Sequence, residues 1–170
     1  DSLASWLVNL VLAFVLVKFV IYPGIGLILG TQFPIVAVVS GSMEHNGLDF
    51  DSWWNENKDW YEERDISKEE FIEFKYKNGF NKGDIMFLKG VEPKDIKVGD
   101  VLVYETPFHS NPIIHRVVVI GDGEYITKGD NNHRGDTPVV AEQFQRTGKA
   151  VLRLPLFGWV KIWFVDMFVR

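Results

Sequence analysis

The sequence predicts a mainly β fold, an antiparallel sheet or small barrel, preceded by an N-terminal transmembrane helix and followed by a C-terminal interfacial helix. Three observations predict it. Residues 6–22 are almost wholly apolar, interrupted only by Asn9 and Lys18. After Asn81, short apolar or β-branched runs alternate with Gly-Asp turn pairs at hairpin-like spacing. No helical pattern separates those runs, which argues against the alternating strand–helix order of an α/β fold.

Composition narrows the function classes. The chain has 170 residues, enough for one domain with a sizeable core. Its net charge of −5, without a basic stripe, argues against nucleic-acid binding. The absence of cysteine removes thiol catalysis, thiolate metal sites and disulfide staples. The first residue is Asp1, as a trimmed N-terminus would leave.

Each element has its own signal. About 20 apolar residues span a bilayer core, and residues 6–22 reach the lower edge of that range. Trp6 and Tyr22 suit the two headgroup zones, and Lys18 can snorkel to one of them. A buried core helix is the competing assignment. A secretory leader is disfavoured because residues 23–39 stay apolar, with no small-residue cleavage stretch. No Lys or Arg precedes this segment, and none follows it before Lys58, so charge does not set its orientation. Pro23, Gly24, Gly26 and Gly30 are expected to end the helix. Pro34 then opens a β-branched strand at 35–39.

Residues 45–80 form an aromatic and acidic insertion, with Trp53, Trp54, Trp60 and Tyr61 among many carboxylates. Ser67 and Glu70 resemble a capping box that opens a short helix, which Gly79 would close. Structural cover is the first expectation for this insertion; a lid or membrane-surface element is the alternative. Strands are expected at 85–89, 101–105, 114–120, 125–128 and 150–154. The tail is apolar and aromatic but carries Lys161 and Asp166, which fits a helix lying in the headgroup zone. A truncated second span and a core helix are its alternatives. The domain organisation expected is therefore an anchor at 1–24, a β-rich domain at 25–154 and an interfacial segment at 155–170.

Three places are chemically loaded. Ser40-Gly41-Ser42-Met43 ends an apolar strand and can present a serine; such a nucleophile needs a base and oxyanion donors. His115 lies inside the β-branched run Ile113-Ile114-His115-Arg116-Val117-Val118. An imidazole ordinarily titrates near pH 6.5, which suits a base at neutral pH. Arg116, facing the other side of the sheet, is expected to support the fold. Gly129-Asp130-Asn131-Asn132, followed by Asp136, is a polar turn with two carboxylates, either of which could set the histidine tautomer. Each place also has a plain structural explanation, as a strand-closing turn, a satisfied strand histidine or an Asx turn.

In this order the three segments resemble the sequence boxes of type I signal peptidases. Histidine at the base position, where most bacterial members carry lysine, resembles the archaeal and endoplasmic-reticulum branch, and the tryptophan-rich insertion favours archaea. The resemblance runs from about Trp6 to Leu154. It implies a membrane-bound serine endopeptidase that removes signal peptides from exported preproteins. Ser42 would be the nucleophile and His115 the base. Asp136 would orient His115, Asp130 would be a second functional acid, and Ser40 a candidate oxyanion donor. His45 stands where the family often has proline, which makes it a rival base; His109 and His133 have no motif support. The four histidines show no ligand spacing, so no metal or cofactor is implied. Implied partners are preproteins, the lipid bilayer and further membrane subunits, with no nucleic acid. The implied location is a cell or endoplasmic-reticulum membrane with the catalytic domain on the extracytoplasmic side. A non-catalytic, membrane-anchored β-domain that binds exported polypeptides is the alternative. A self-cleaving repressor-type protease is disfavoured, since those pair serine with lysine.

Overall fold

A computed structural model of the protein describes residues 2–106, 111–121, 123–140, 147–159 and 162–163. The apolar N-terminal segment is one helix, α1, Leu3–Leu29. At 1.5 Å per residue it is about 40 Å long, more than a bilayer core requires. Leu12, Phe14, Phe19 and Val20 are all exposed, so α1 is not a core helix of the sheet domain.

Helix α1 runs past three of its four expected terminators. Pro23 has no N–H to donate and would break an ordinary helix interior. Here it follows a π-helical stretch, Val17–Ile21, in which the Tyr22 N–H reaches the Val17 carbonyl. That wider turn shifts the hydrogen-bond register ahead of Pro23, and the ring falls in the first turn of the last α segment, where its missing donor costs little. Gly24 and Gly26 are carried within this segment. Only Gly30 stops the helix, with a left-handed φ of 67° and its N–H on the Gly26 and Leu27 carbonyls.

The insertion holds two helices. Helix α2, Phe50–Glu62, is capped by the Asp49 carboxylate, which accepts the Ser52 N–H at 2.8 Å. It buries Trp53, Trp54 and Tyr61 on one side. Helix α3, Lys68–Glu73, begins at the expected Ser67 cap, with Ser67 Oγ accepting the Glu70 N–H at 3.1 Å. It ends at Glu73, well before Gly79. Trp53, Trp54, Tyr61, Ile66 and Phe71 form a compact cluster over Val118 of the sheet.

Seven strands form one antiparallel sheet: β1 Ile35–Ala37, β2 Ile85–Gly90, β3 Val101–Tyr104, β4 Ile113–Ile120, β5 Glu124–Lys128, β6 Val139–Val140 and β7 Gly148–Leu154. Their spatial order is β1-β2-β7-β3-β4-β5-β6. Register shifts at Phe87/Leu88 and Val117/Val119 bend the long strands, and the sheet curls into an open half-barrel with β1 and β6 at its edges. One core cluster packs Val38, Met43 and Phe80 against Met86, Leu88 and Val103. Beyond β7 a turn at 155–158 leads to Trp159, which packs on Gly83. No C-terminal helix is evident as an element among the described residues; most of the expected interfacial segment lies outside them.

Candidate active site

Strand β4 places His115 and Arg116 on opposite faces, because successive side chains alternate. His115 is buried and lines a cleft of about 590 Å³ together with Ser40, Ser42, Asn132 and Asp136. Tyr22 of α1 and Val36, Val39 and Ile114 supply much of the apolar wall. Three segments remote in sequence thus meet at one concave surface, beside the C-terminal part of the membrane-length helix.

His115 Nδ1 contacts Asp136 Oδ2 at 2.5 Å. The same carboxylate oxygen accepts the Thr127 hydroxyl at 2.6 Å and the Tyr104 hydroxyl at 3.4 Å. Thr127 reaches it because Thr127 pairs with Val117, which shares the His115 face of β4. Burial alone would raise the Asp136 pKa, but the hydrogen bond and charge of His115, with the Thr127 and Tyr104 hydroxyls, hold it below the ordinary carboxylate value. An ionised Asp136 fixes the tautomer of a neutral His115, with the proton on Nδ1 and an acceptor at Nε2. Among the described residues, Nε2 has no hydrogen-bond partner.

Ser42 is half-buried on the loop after β1. Its Oγ lies 3.2 Å from Ser40 Oγ and makes no hydrogen bond to His115. The Ser42 N–H has no partner among the described residues, as an oxyanion donor requires. The 129–132 turn clamps this loop from behind. Asn131 donates its N–H to the Ser42 carbonyl at 2.8 Å and its side-chain amide to the Gly41 carbonyl at 3.0 Å. A Cβ on Gly129 would lie 2.7 Å from the Ser42 carbonyl, so glycine is needed for this approach.

Asp130 goes elsewhere. It is fully buried and does not line the cleft. Its oxygens accept Arg116 Nε at 2.9 Å and Nη2 at 2.7 Å, and His45 Nε2 lies 3.3 Å away. Burial would raise its pKa, but Arg116 and His45 reverse that and lower it to about 2. Arg116 also donates to the Lys75, Tyr76 and Gly99 carbonyls, tying the insertion to the sheet. His45 is stacked on Trp53 at 3.8 Å and held by Asp130, away from the cleft. His133 is exposed, and His109 lies outside the described residues.

Sequence reasoning did not find Thr127, Tyr104 or Tyr22 as site residues, and it named Asn131 within the 129–132 turn without its role on the serine loop. Thr127 and Tyr104 sit in apolar strand runs where a hydroxyl carries no motif. Tyr22 reads as a headgroup anchor, and only the fold brings it to the cleft. Lys128 also escaped notice. It is buried behind the site, donates to Tyr61 Oη and to the Gly129 and Asp130 carbonyls, and burial lowers its pKa to about 8.

The fold and cleft define a class: a β half-barrel behind an apolar helix, with a serine and an Asp-bound histidine facing one groove. No family model matches the chain. It is 32% identical over 155 residues to the signal peptidase complex catalytic subunit SEC11 of Scheffersomyces stipitis, covering 85% of this chain and 73% of the relative. To the SEC11 subunit of Fusarium vanettenii it is 30% identical, covering 85% and 71%. To human SEC11C it is 28% identical over 153 residues, covering 84% of this chain and 62% of the relative. The chain belongs to the SEC11 family of signal peptidase complex catalytic subunits. It spans 62% of the length of the mammalian members it matches.

Proposed function

We propose that the protein is a membrane-anchored serine endopeptidase that removes N-terminal signal peptides from exported preproteins. The observation that carries this is the Asp136–His115 pair, 2.5 Å apart, in the cleft that Ser42 also lines. Ser42 is the nucleophile. Its hydroxyl leaves Ser40, passes its proton to His115 Nε2, and its oxygen adds to the scissile carbonyl. The oxyanion is met by the Ser42 N–H and the Ser40 hydroxyl. His115 then gives the proton to the leaving amine as the C–N bond breaks. Water, deprotonated by His115, releases the acyl group and restores the serine. Asp136 holds the imidazole throughout. Asp130 acts indirectly, by holding Arg116 and the turn that clamps the serine loop.

In this scheme residues 1–24 anchor the chain and 25–154 form the catalytic domain, with 45–80 as cover. Residues 155–170 are an apolar membrane-interface segment, on the side where the exported polypeptide emerges. The extracytoplasmic face of a cell membrane, or the endoplasmic-reticulum lumen, fits that placement, and the tryptophan-rich insertion favours an archaeal source. The relatives are named as subunits of a complex, which supports further membrane subunits for this chain too.

The test uses the full chain in detergent with a preprotein bearing an Ala-x-Ala site. Processing is expected for the wild type and none for Ser42→Ala or His115→Ala, with folding intact by tryptophan fluorescence. Processing by Ser42→Ala would remove the nucleophile. A folded wild type that binds the preprotein and releases no product would instead be a polypeptide-binding domain.

A further inference from the structure

The edge strand β1 exposes a short ladder to the cleft. The Leu88 N–H donates to the Pro34 carbonyl at 2.9 Å and the Val38 N–H to the Asp84 carbonyl at 2.8 Å, so residues 34, 36 and 38 face β2. By the alternation of an antiparallel pair, residues 35, 37 and 39 turn their N–H and C=O groups to the open edge. Such an edge adds an extended peptide as one more strand. One of its acceptors is already engaged: the Tyr22 hydroxyl donates to the Ile35 carbonyl at 3.1 Å. Tyr22 comes from α1 and lines the same cleft.

We propose that Tyr22 is a register stop for the substrate strand, ending its pairing at Ala37 and so fixing how many extended residues separate the apolar segment from the cut bond. This specificity role rests on the peptidase function proposed above. From the Ser42 side, a peptide meets backbone groups at Val39 and then Ala37 that have no partner among the described residues. The next pairing position, Ile35, lies two residues or about 7 Å further on. There the peptide must displace the Tyr22 hydroxyl from its carbonyl and push aside the ring. Because Tyr22 belongs to α1, the stop is fixed relative to the bilayer, where the apolar part of the substrate lies. A substrate with two more extended residues, one ladder repeat, has to pair at Ile35 or buckle. Either is penalised.

The test is a set of preproteins with zero to four polar residues inserted between the apolar segment and the Ala-x-Ala site. They are cleaved by the full chain in proteoliposomes, and cut positions and relative kcat/KM are read by mass spectrometry. Rates are compared within each enzyme, so a uniform loss of activity from loosened packing cancels. The wild type is expected to discriminate against the two-residue insertion. Tyr22→Phe, which keeps the ring and removes the donor, is expected to relax that discrimination by about 2- to 10-fold, the worth of one net hydrogen bond. Superimposable profiles for the two enzymes would overturn the assignment while leaving the peptidase standing. A wild type that cleaves no member of the set would overturn both.

Discussion

Two aspartates six positions apart are expected to fail in opposite ways when each is changed to asparagine. Asp130 is fully buried and balances the buried Arg116 guanidinium through two hydrogen bonds. Its carboxyl titrates at about 2 in the folded protein against 3.8 ordinarily. At 1.36 kcal/mol per unit that displacement corresponds to about 2 kcal/mol of stability. The folded pKa is the lower one, so this contribution is present above pH 4 and lost as pH falls through 2. Asparagine also leaves Arg116 without its counter-charge, and breaking a buried pair costs about 3–5 kcal/mol. Asp130→Asn is therefore expected to lose about 2–5 kcal/mol, a shift of roughly 1–2 M in the urea midpoint. Activity measured well below that midpoint should be largely retained. Asp136 is half-buried, and its carboxylate serves His115, Thr127 and Tyr104. Asp136→Asn should cost less than about 2 kcal/mol, since asparagine keeps one acceptor oxygen. It should lower kcat by about 10²–10⁴, because the amide lets His115 adopt the wrong tautomer. Urea unfolding at pH 7 and preprotein cleavage, both in detergent, measure the two quantities. A larger activity loss in Asp130→Asn than in Asp136→Asn, with both folded, would refute these assignments.

Three further changes test the surroundings. Burial depresses Lys128 from 10.5 to about 8, so the wild type should gain about 3 kcal/mol as pH rises from 8 to 10.5; Lys128→Met should lack that rise, and parallel pH–stability curves would count against it. Ser40→Ala removes the hydroxyl 3.2 Å from Ser42 Oγ and should lower kcat by about 10²–10³ if it serves the oxyanion, whereas an unchanged kcat confines Ser40 to the turn. Trp54 is 2% exposed among Tyr61 and Phe71, and Trp54→Ala should destabilise by about 3–5 kcal/mol in thermal unfolding; a change under 1 kcal/mol would show that the insertion is not part of the cooperative core.

The strands were legible because β-branched runs bounded by Pro34 or by Gly-Asp pairs leave little else to form, and six of the seven lie where those runs predict. The two-residue β6 has too little pattern to detect. Helix α2 was missed although Phe50, Trp53, Trp54 and Tyr61 recur at helical spacing behind the Asp49 cap, because the many carboxylates and amides between them masked that stripe. The end of α1 was misplaced because Pro23 and the glycines stop helices in general, whereas a π-helical turn ahead of the proline absorbs its missing donor. Ser40, Ser42, His115 and Asp136, which line one cleft, were legible through ordered motifs. The residues alone left open which aspartate meets His115, and the resemblance pointed to Asp136; the packing of β4 on β5 places Asp136 beside His115 and Asp130 on Arg116.

One alternation along β4 and β5 organises both sides of the site. His115 and Val117 face the cleft side, where Thr127 opposite Val117 reaches Asp136. Arg116 faces the other side, paired across the strands with Lys128. Two cations facing each other on a sheet repel, and the next turn answers them. The Asp130 carboxylate takes Arg116, while the Gly129 and Asp130 carbonyls take the Lys128 ammonium. That arrangement fixes the 129–132 backbone, and the same backbone carries Asn131 to the Ser42 and Gly41 carbonyls. The buried charges therefore act on the serine loop through the peptide chain, without entering the cleft. A serine and a histidine 73 positions apart share one frame because a single ionic cluster behind the sheet holds the supports of both.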